Sequence, residues 1–154
     1  MAEKAGELDE FDRKMLAILR DEGRITVTDL AERVGLSKTP CQVRLRRLIA
    51  SGVIRGFRAA IDPVKIGMDH VAFAEVKLSD TREAALKEFN AAVRRIPEVE
   101  ECHMIASSFD YLLKVRTANI NRYRVVLGER ISSLPYVAST STFVAMETVK
   151  DSWS

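Results

Sequence analysis

The spacing of apolar residues changes from a helical period to a strand period about sixty residues into the chain. Between Asp9 and Ser51 the apolar side chains recur every three or four residues, which predicts amphipathic helices. From His70 onward, segments of alternating apolar residues are interleaved with two helical segments, each followed by proline. In a chain of 154 residues this switch predicts an α+β protein with two small domains.

The first part of the chain predicts three helices, with Asp9, Thr26 and Ser37 as their N-caps. Gly35 lies where the second helix must end, because a residue without Cβ adopts the left-handed conformation at little cost. The short second helix, the glycine turn and the third helix together predict a helix-turn-helix. The segment 53–61 then alternates apolar residues with arginine, which predicts a short β-ribbon or wing.

The second part predicts strands at 70–79, 99–107, 110–117 and 137–150 and helices at 83–96 and 119–134. This βαββαβ order is that of a ferredoxin-like fold, with both helices on one face of an antiparallel sheet. The opposite face is half-apolar and is expected to stay partly wet or to pack on a partner. The predicted domains are 1–61 with the wing and hinge, a linker at 62–68, and 69–154. The last helix is predicted to bury Ile120, Tyr123, Leu127, Ile131 and Leu134.

Positive charge is concentrated in the predicted helix-turn-helix. Between Glu32 and Asp62 the chain has seven basic residues and no acid, although its net charge is only +2. Lys and Arg release counterions from phosphates, whereas acids on the same surface would repel them. The pattern therefore predicts an acid-free face that binds double-stranded DNA. The DNA-binding candidates are Ser37, Lys38, Thr39, Pro40, Gln42, Val43, Arg44, Arg46, Arg47, Arg55 and Arg58.

Roles within this set follow from chemistry. Residues at the start of a recognition helix point toward base edges, where Gln pairs with adenine and Lys with guanine. The candidate readers are Lys38, Thr39, Gln42, Val43 and, as an additional candidate, Arg46. The predicted phosphate anchors, which set register without reading sequence, are Arg47, Arg55 and Arg58.

The sequence resembles the Lrp/AsnC family of transcriptional regulators over about residues 8–150. The matching segments are LDEFDRKMLAIL, LAERVGLSKTPCQVRLRRLIASGVIRGF and FDYLLKVRTANINRYRVVLGERISSLPYVASTSTFVAMETVK. The resemblance implies a winged helix-turn-helix, a hinge, and an αβ-sandwich domain that dimerises through its sheet. It also implies assembly of these homodimers into tetramers or octamers, and an amino acid bound between C-terminal domains. The SKTPC and MIASSFDY segments are more similar to regulators of proline catabolism than to the leucine-responsive type.

The resemblance also implies the effector-binding positions Asp110, Ile120, Phe143, Val144 and Ala145. Ser107 and Ser108 add hydroxyls and backbone amides that suit a carboxylate, while Asp110 suits an ammonium group. Leucine-responsive members usually have Gly-Asp in place of Ser107-Ser108, so the loop is expected to differ in shape. The predicted effector is a small apolar amino acid, proline first and leucine second. In the alternative interpretation, Asp110 caps a hairpin turn and Phe143 belongs to the core.

The sequence lacks the residue patterns expected of an enzyme. Cys102 and His103 are neighbours in a predicted strand and face opposite sides, and no phosphate loop or metal-ligand spacing is present, so no enzyme, cofactor or metal is expected. Cys41 and Cys102 are expected to be reduced, buried thiols. The absence of a signal or membrane-spanning segment predicts a cytoplasmic protein. A sequence-tolerant architectural DNA-binding protein and an amino-acid-binding regulatory subunit remain the alternatives.

Overall fold

The helical period of the first part of the chain produces three helices in the unit Met1–Ala60. The computed structural model describes residues 7–151. The helices are α1 (Glu10–Asp21), α2 (Val27–Val34) and α3 (Lys38–Ala50). Each helix contributes buried apolar side chains to a single core cluster, so the unit has a core of its own.

The ends of these helices are largely those predicted. The Asp9 side chain accepts a hydrogen bond from the backbone N–H of Asp12 at 2.9 Å, and Thr26 Oγ1 accepts one from the N–H of Asp29 at 3.1 Å. Gly35 ends α2 with φ +80°. Ser37 has the extended backbone of an N-cap, but its hydroxyl accepts no hydrogen bond from the first turn of α3. The turn between α2 and α3 is therefore set by glycine rather than by a serine cap.

The β-ribbon predicted for 53–61 is wrong, because this segment contains no strand. Val53 and Ile54 both pack against the helical core instead of alternating between two faces. Gly56 has φ +148°, and the ring of Phe57 lies beside Gly23. Val53 and Ile54 thus cover one side of the three-helix core, and no strand is present in 7–60 to pair with the segment.

The unit Ile61–Ser154 has the predicted βαββαβ order. Its elements are β1 (His70–Leu78), α4 (Glu83–Val93), β2 (Val99–Met104), β3 (Tyr111–Thr117), α5 (Ile120–Val126) with a π-helical turn at Leu127–Ile131, and β4 (Val137–Val144). The strands lie in the order β2-β3-β1-β4, and all neighbouring strands are antiparallel. The second and fourth strands are shorter than predicted, and Ala145 lies just beyond the sheet.

One face of the sheet is covered by helices, as the alternation in β1 predicts. Ala72, Ala74 and Val76 are fully buried and share a core with Phe89 of α4 and Tyr123 of α5. On the opposite face Val71 is buried, but most side chains are only partly buried or exposed. They include Phe73, Glu75, Lys77, Leu112, Lys114 and Arg116.

The predicted burial pattern of the last helix is wrong at Ile120, and Leu127 packs against the core while only partly buried. Ile120 is exposed and Leu127 is half-buried, whereas Val126 is fully buried. The buried positions step from Val126 to Ile131, an interval of five residues that matches the π-helical turn. A period of 3.6 residues correctly places Tyr123, Ile131 and Leu134 in the core but misses Val126.

Candidate DNA-binding and effector-binding sites

The outer face of α3 is exposed, as expected for a recognition helix. Cys41 and Leu48 are buried in the three-helix core and dock the helix by its apolar side. Gln42 is half-buried beside the exposed side chains. The exposed side chains of the predicted face are Ser37, Lys38, Thr39, Pro40, Val43, Arg46 and Arg47. The apolar side of α3 thus packs on the three-helix core, and its polar and cationic side faces solvent.

The expectation that no acid lies near this face is wrong. Asp9 and Asp12 precede the acid-free interval by more than twenty residues, but α1 packs beside α3. Arg44 Nη1 donates to Asp9 Oδ2 at 2.5 Å and to Asp12 Oδ1 at 3.0 Å. Arg47 Nη2 donates to Asp12 Oδ2 at 2.5 Å. Two of the predicted DNA-binding arginines therefore have carboxylate partners that are distant in sequence.

The ion pairs of Asp9 and Asp12 with Arg44 and Arg47 shift the pKa values of Asp9 and Arg44 toward their charged forms. The backbone N–H of Asp12 and the guanidinium of Arg44 hold the pKa of Asp9 below its ordinary value. The Asp9 and Asp12 carboxylates raise the pKa of Arg44, whose guanidinium also lies 5.5 Å from the centroid of the Phe11 ring. Arg44 is thereby held against α1.

Four other predicted cations differ from Arg44 and Arg47. Within residues 7–151, no salt bridge joins a carboxylate to any of them. Arg55 and Arg58 follow α3 in the irregular segment, and their side chains are exposed. These four cations, which have the full charge available for phosphates, are Lys38, Arg46, Arg55 and Arg58.

In the C-terminal unit, Asp110 lies at the end of the β2–β3 turn, directly before β3, and contacts the end of β1. Its carboxylate accepts a hydrogen bond from the backbone N–H of Leu78 at 2.7 Å and lies 3.5 Å from Lys77 Nζ. The strand pairing shifts register at these two residues, so Asp110 satisfies a backbone donor at an irregularity. The side chain is 17% exposed, and Ser107 and Ser108 in the adjoining turn are exposed.

The predicted effector residues fall into two groups within one chain. Asp110 contacts β1 at Val76 and Leu78, whereas Phe143 and Val144 pair with β1 at Phe73 and Ala72. Three to six strand residues, or roughly 10–20 Å, separate the groups. Ile120 belongs to the second group, since it follows Thr117, the partner of His70 at the start of β1. A single chain therefore does not gather these residues around one small ligand.

The structure also contains a cavity that the sequence patterns did not indicate. It has a volume of about 450 Å³ and lies between α4 and β2, where Asn90, Arg94, Glu101, Cys102 and Tyr111 contribute to its lining. Burial raises the pKa of the Cys102 thiol to about 11.

No group of three or more His, Cys, Asp or Glu side chains in the described residues is arranged to hold a metal. Nor does any helix within residues 7–151 have the length and apolarity to cross a membrane.

Comparisons with known proteins define the class. Residues 8–55 match the winged helix-turn-helix DNA-binding family, and residues 71–154 match the Lrp/AsnC ligand binding domain. The chain belongs to the Lrp/AsnC family of transcriptional regulators.

Individual relatives narrow the resemblance. The chain is 66% identical over 148 residues to the proline dehydrogenase transcriptional activator of Rhizobium radiobacter, covering 96% of this chain and 95% of that protein. It is 42% identical over 146 residues to the leucine-responsive regulatory protein of Escherichia coli K12, covering 95% and 89%. A transcriptional regulator from Neisseria meningitidis, solved in complex with L-Met, superimposes with a TM-score of 0.86 at 30% identity, covering 94% of each chain. The predicted resemblance to regulators of proline catabolism is confirmed.

Proposed function

We propose that this protein regulates transcription of proline-catabolism genes by binding specific duplex DNA through α3 and by responding to proline. The observation that carries the proposal is the exposed, cationic outer face of α3 in a chain 66% identical to a proline dehydrogenase transcriptional activator. A role on duplex DNA supports a cytoplasmic location. Leucine is the second candidate effector, since a leucine-responsive protein is also a relative.

In this proposal, the exposed residues at the start of α3 contact the base edges and so recognise the DNA sequence. Lys38, Thr39 and Val43 reach solvent, and Gln42 adjoins them. A bidentate contact from Gln42 to adenine would contribute about 1–3 kcal/mol of discrimination. Arg55 and Arg58, exposed and without a carboxylate partner in the described chain, are suited to neighbouring phosphates.

On the effector side, the two groups of predicted residues suggest a site completed by two chains. One chain would supply Ser107, Ser108 and Asp110 for the charged ends of an amino acid. A second chain would supply apolar surface from Ile120, Phe143 and Val144, with Ala145 beside them. Such a site requires at least a homodimer, and it couples ligand binding to assembly because neither group suffices alone.

The test is a paired thermal-shift and DNA-binding titration of the full chain against all twenty amino acids. Wild type should prefer the promoter of a proline-catabolism gene over random duplex, and proline should raise its thermal midpoint and change promoter binding. Asp110→Asn should lose the response, because the amide keeps an acceptor for the Leu78 N–H but carries no charge for an ammonium. Asp110→Ala also removes that hydrogen bond, so it should lower the free energy of unfolding by roughly 1 kcal/mol as well.

Glu83→Gln is the matched control, since it removes one exposed carboxylate whose salt bridge within residues 7–151 is with Lys87 of the same helix. This variant should respond as wild type does. Equal binding of promoter and random duplex would contradict sequence-specific regulation and favour an architectural role. Equal responses from wild type and Asp110→Asn would remove Asp110 from the effector site.

A further inference from the structure

Asp12 is a buried carboxylate in the DNA-binding unit with no role in the function proposed above. Its side chain is 1% exposed, and within residues 7–151 no other charged residue is as fully buried. It lies in the first turn of α1 and accepts hydrogen bonds from the Asp9 N–H at 3.2 Å, from Arg44 and from Arg47. The last two donors come from α3, so this carboxylate joins the first helix to the recognition helix.

The two arginines that Asp12 holds differ in accessibility. The Arg44 side chain is 25% exposed and is shared with Asp9, so α1 holds it on two carboxylates. The Arg47 side chain is 57% exposed, although Nη2 is bonded to Asp12. Arg47 can therefore reach a phosphate beside α3, but only while its charge is partly neutralised by the buried carboxylate.

A carboxylate and a phosphate offer an arginine the same kind of charge-assisted hydrogen bond. Asp9, Asp12, Arg44 and Arg47 form a cluster with two negative and two positive charges, which adds nothing net to the attraction of DNA. We propose that Asp12 is a specificity-determining residue that competes with DNA phosphates for Arg47 and thereby restrains sequence-independent binding. The inference rests on the DNA-binding function proposed above.

A purely structural role for Asp12 makes a different prediction. If the carboxylate only fixes the angle of α3, removing its charge should weaken binding to promoter and random duplex alike. If it competes with phosphate, removing its charge should strengthen binding to random duplex, because Arg47 then acts with its full charge. The affinity for promoter should rise less than the affinity for random duplex, because base contacts already fix the position of α3 on the promoter. The ratio of the two affinities should therefore fall.

Asp12→Asn in the full chain is the decisive variant, since Asn keeps the shape and an acceptor for the Asp9 N–H. Affinity for a random 30-base-pair duplex should rise about threefold to fivefold, and its salt slope should steepen by about 0.9, as one added phosphate contact requires. Arg47→Gln introduced into Asp12→Asn should abolish that gain. Glu10→Gln is the matched control, because it removes one negative charge from the same turn but pairs with Lys14 and not with α3.

Circular dichroism and the thermal midpoint should establish that each variant is folded at the binding temperature. If Asp12→Asn is unfolded, Asp9→Asn replaces it, since Asp9 is half-exposed and its loss still leaves the cluster with a net positive charge. That variant should show a smaller gain in random binding, of about twofold. No gain in a folded variant, or a gain that survives Arg47→Gln, overturns the proposal. Failure of wild type to bind any duplex would instead overturn the DNA-binding function itself.

Discussion

The two units of the chain expose opposite kinds of surface. The N-terminal unit presents cations on α3 and in the segment after it, with polar neighbours such as Thr39 and Gln42. The C-terminal unit presents large apolar side chains along and beyond β4, where Phe143 is 54% and Val144 50% exposed, and Met146 projects fully. The first surface suits a polyanion, whereas the second suits an apolar partner such as another copy of the chain.

The cores differ in a corresponding way. The three-helix core is small, and α1 is tied to α3 by the ion pairs of Asp12 as well as by apolar contacts. The sheet core is larger and is built from alternating strand residues covered by two helices. Ion pairs that join helices place charge near the DNA-binding face, whereas a one-sided sheet leaves a second face open. The helical core thus presents a charged surface suited to DNA, and the one-sided sheet presents a partly apolar surface suited to a protein partner.

The largest expected effect concerns the apolar surface. Phe143→Asp should dissociate the homodimer proposed above, raising its Kd by at least about a thousandfold, because in a symmetric interface the charge is buried twice. Analytical ultracentrifugation at micromolar protein measures this directly. Phe143 is the cross-strand neighbour of Phe73 on the open sheet face, so one substitution tests that face.

The control for this variant is Val125→Asp, which places the same charge on an exposed apolar position of α5. Its dimer should remain intact. A dimer in Phe143→Asp, or monomers in both variants, would mean that the open sheet face is not the main interface and would break the contrast between the two units.

The next effect concerns the two thiols, one in each unit. Cys102 lines the open cavity with its pKa raised to about 11, so it should react with iodoacetamide about a hundredfold more slowly than an ordinary thiol at pH 8. Its rate should rise about tenfold per pH unit up to pH 10, as the thiolate fraction grows. Cys41 is fully buried among the helices and should react more slowly still, because the core must open first.

Mass spectrometry of the two cysteine peptides over a pH series checks this without any substitution. Complete unfolding in urea should make the two rates equal and provides the control. Faster modification of Cys41 than of Cys102 would show that the three-helix unit opens more readily than its packing implies.

The smallest effect distinguishes two neighbouring arginines. Arg46→Gln should lower the salt slope of DNA binding by about 0.9, since no carboxylate of residues 7–151 pairs with Arg46. Arg47→Gln should lower it by less than half as much, because Asp12 already offsets that charge. Equal slopes for the two variants would show that the ion pair is broken when DNA binds.

Much of the fold was predictable because local patterns decide it. The caps at Asp9 and Thr26 and the glycine at the end of α2 depend on bonds between residues three or four apart. The βαββαβ order follows from the change in period, and the buried face of β1 follows from the alternation between Ala72 and Leu78. The β-ribbon predicted after α3 does not form, because Val53 and Ile54 pack together against the helical core.

The candidate sites were predictable only in part. The exposed face of α3 follows from helical spacing, since the apolar stripe selects which side docks. The split of the effector residues between two ends of β1 depends on strand pairing that no spacing reveals. The full burial of Val126, next to the π-helical turn, is likewise not indicated by the apolar spacing.

By itself, the sequence determined the helices and strands of each unit, their order, and the buried sides of α3 and β1, since these follow from periodicity and capping over a few residues. Tertiary structure alone decided which charges meet. Asp12 lies thirty-two residues from Arg44 and thirty-five from Arg47, yet its carboxylate bonds both. Electrostatic interactions depend on distance in space, and only the packing of α1 beside α3 turns an acid-free stretch of sequence into a surface with a counter-charge beneath it.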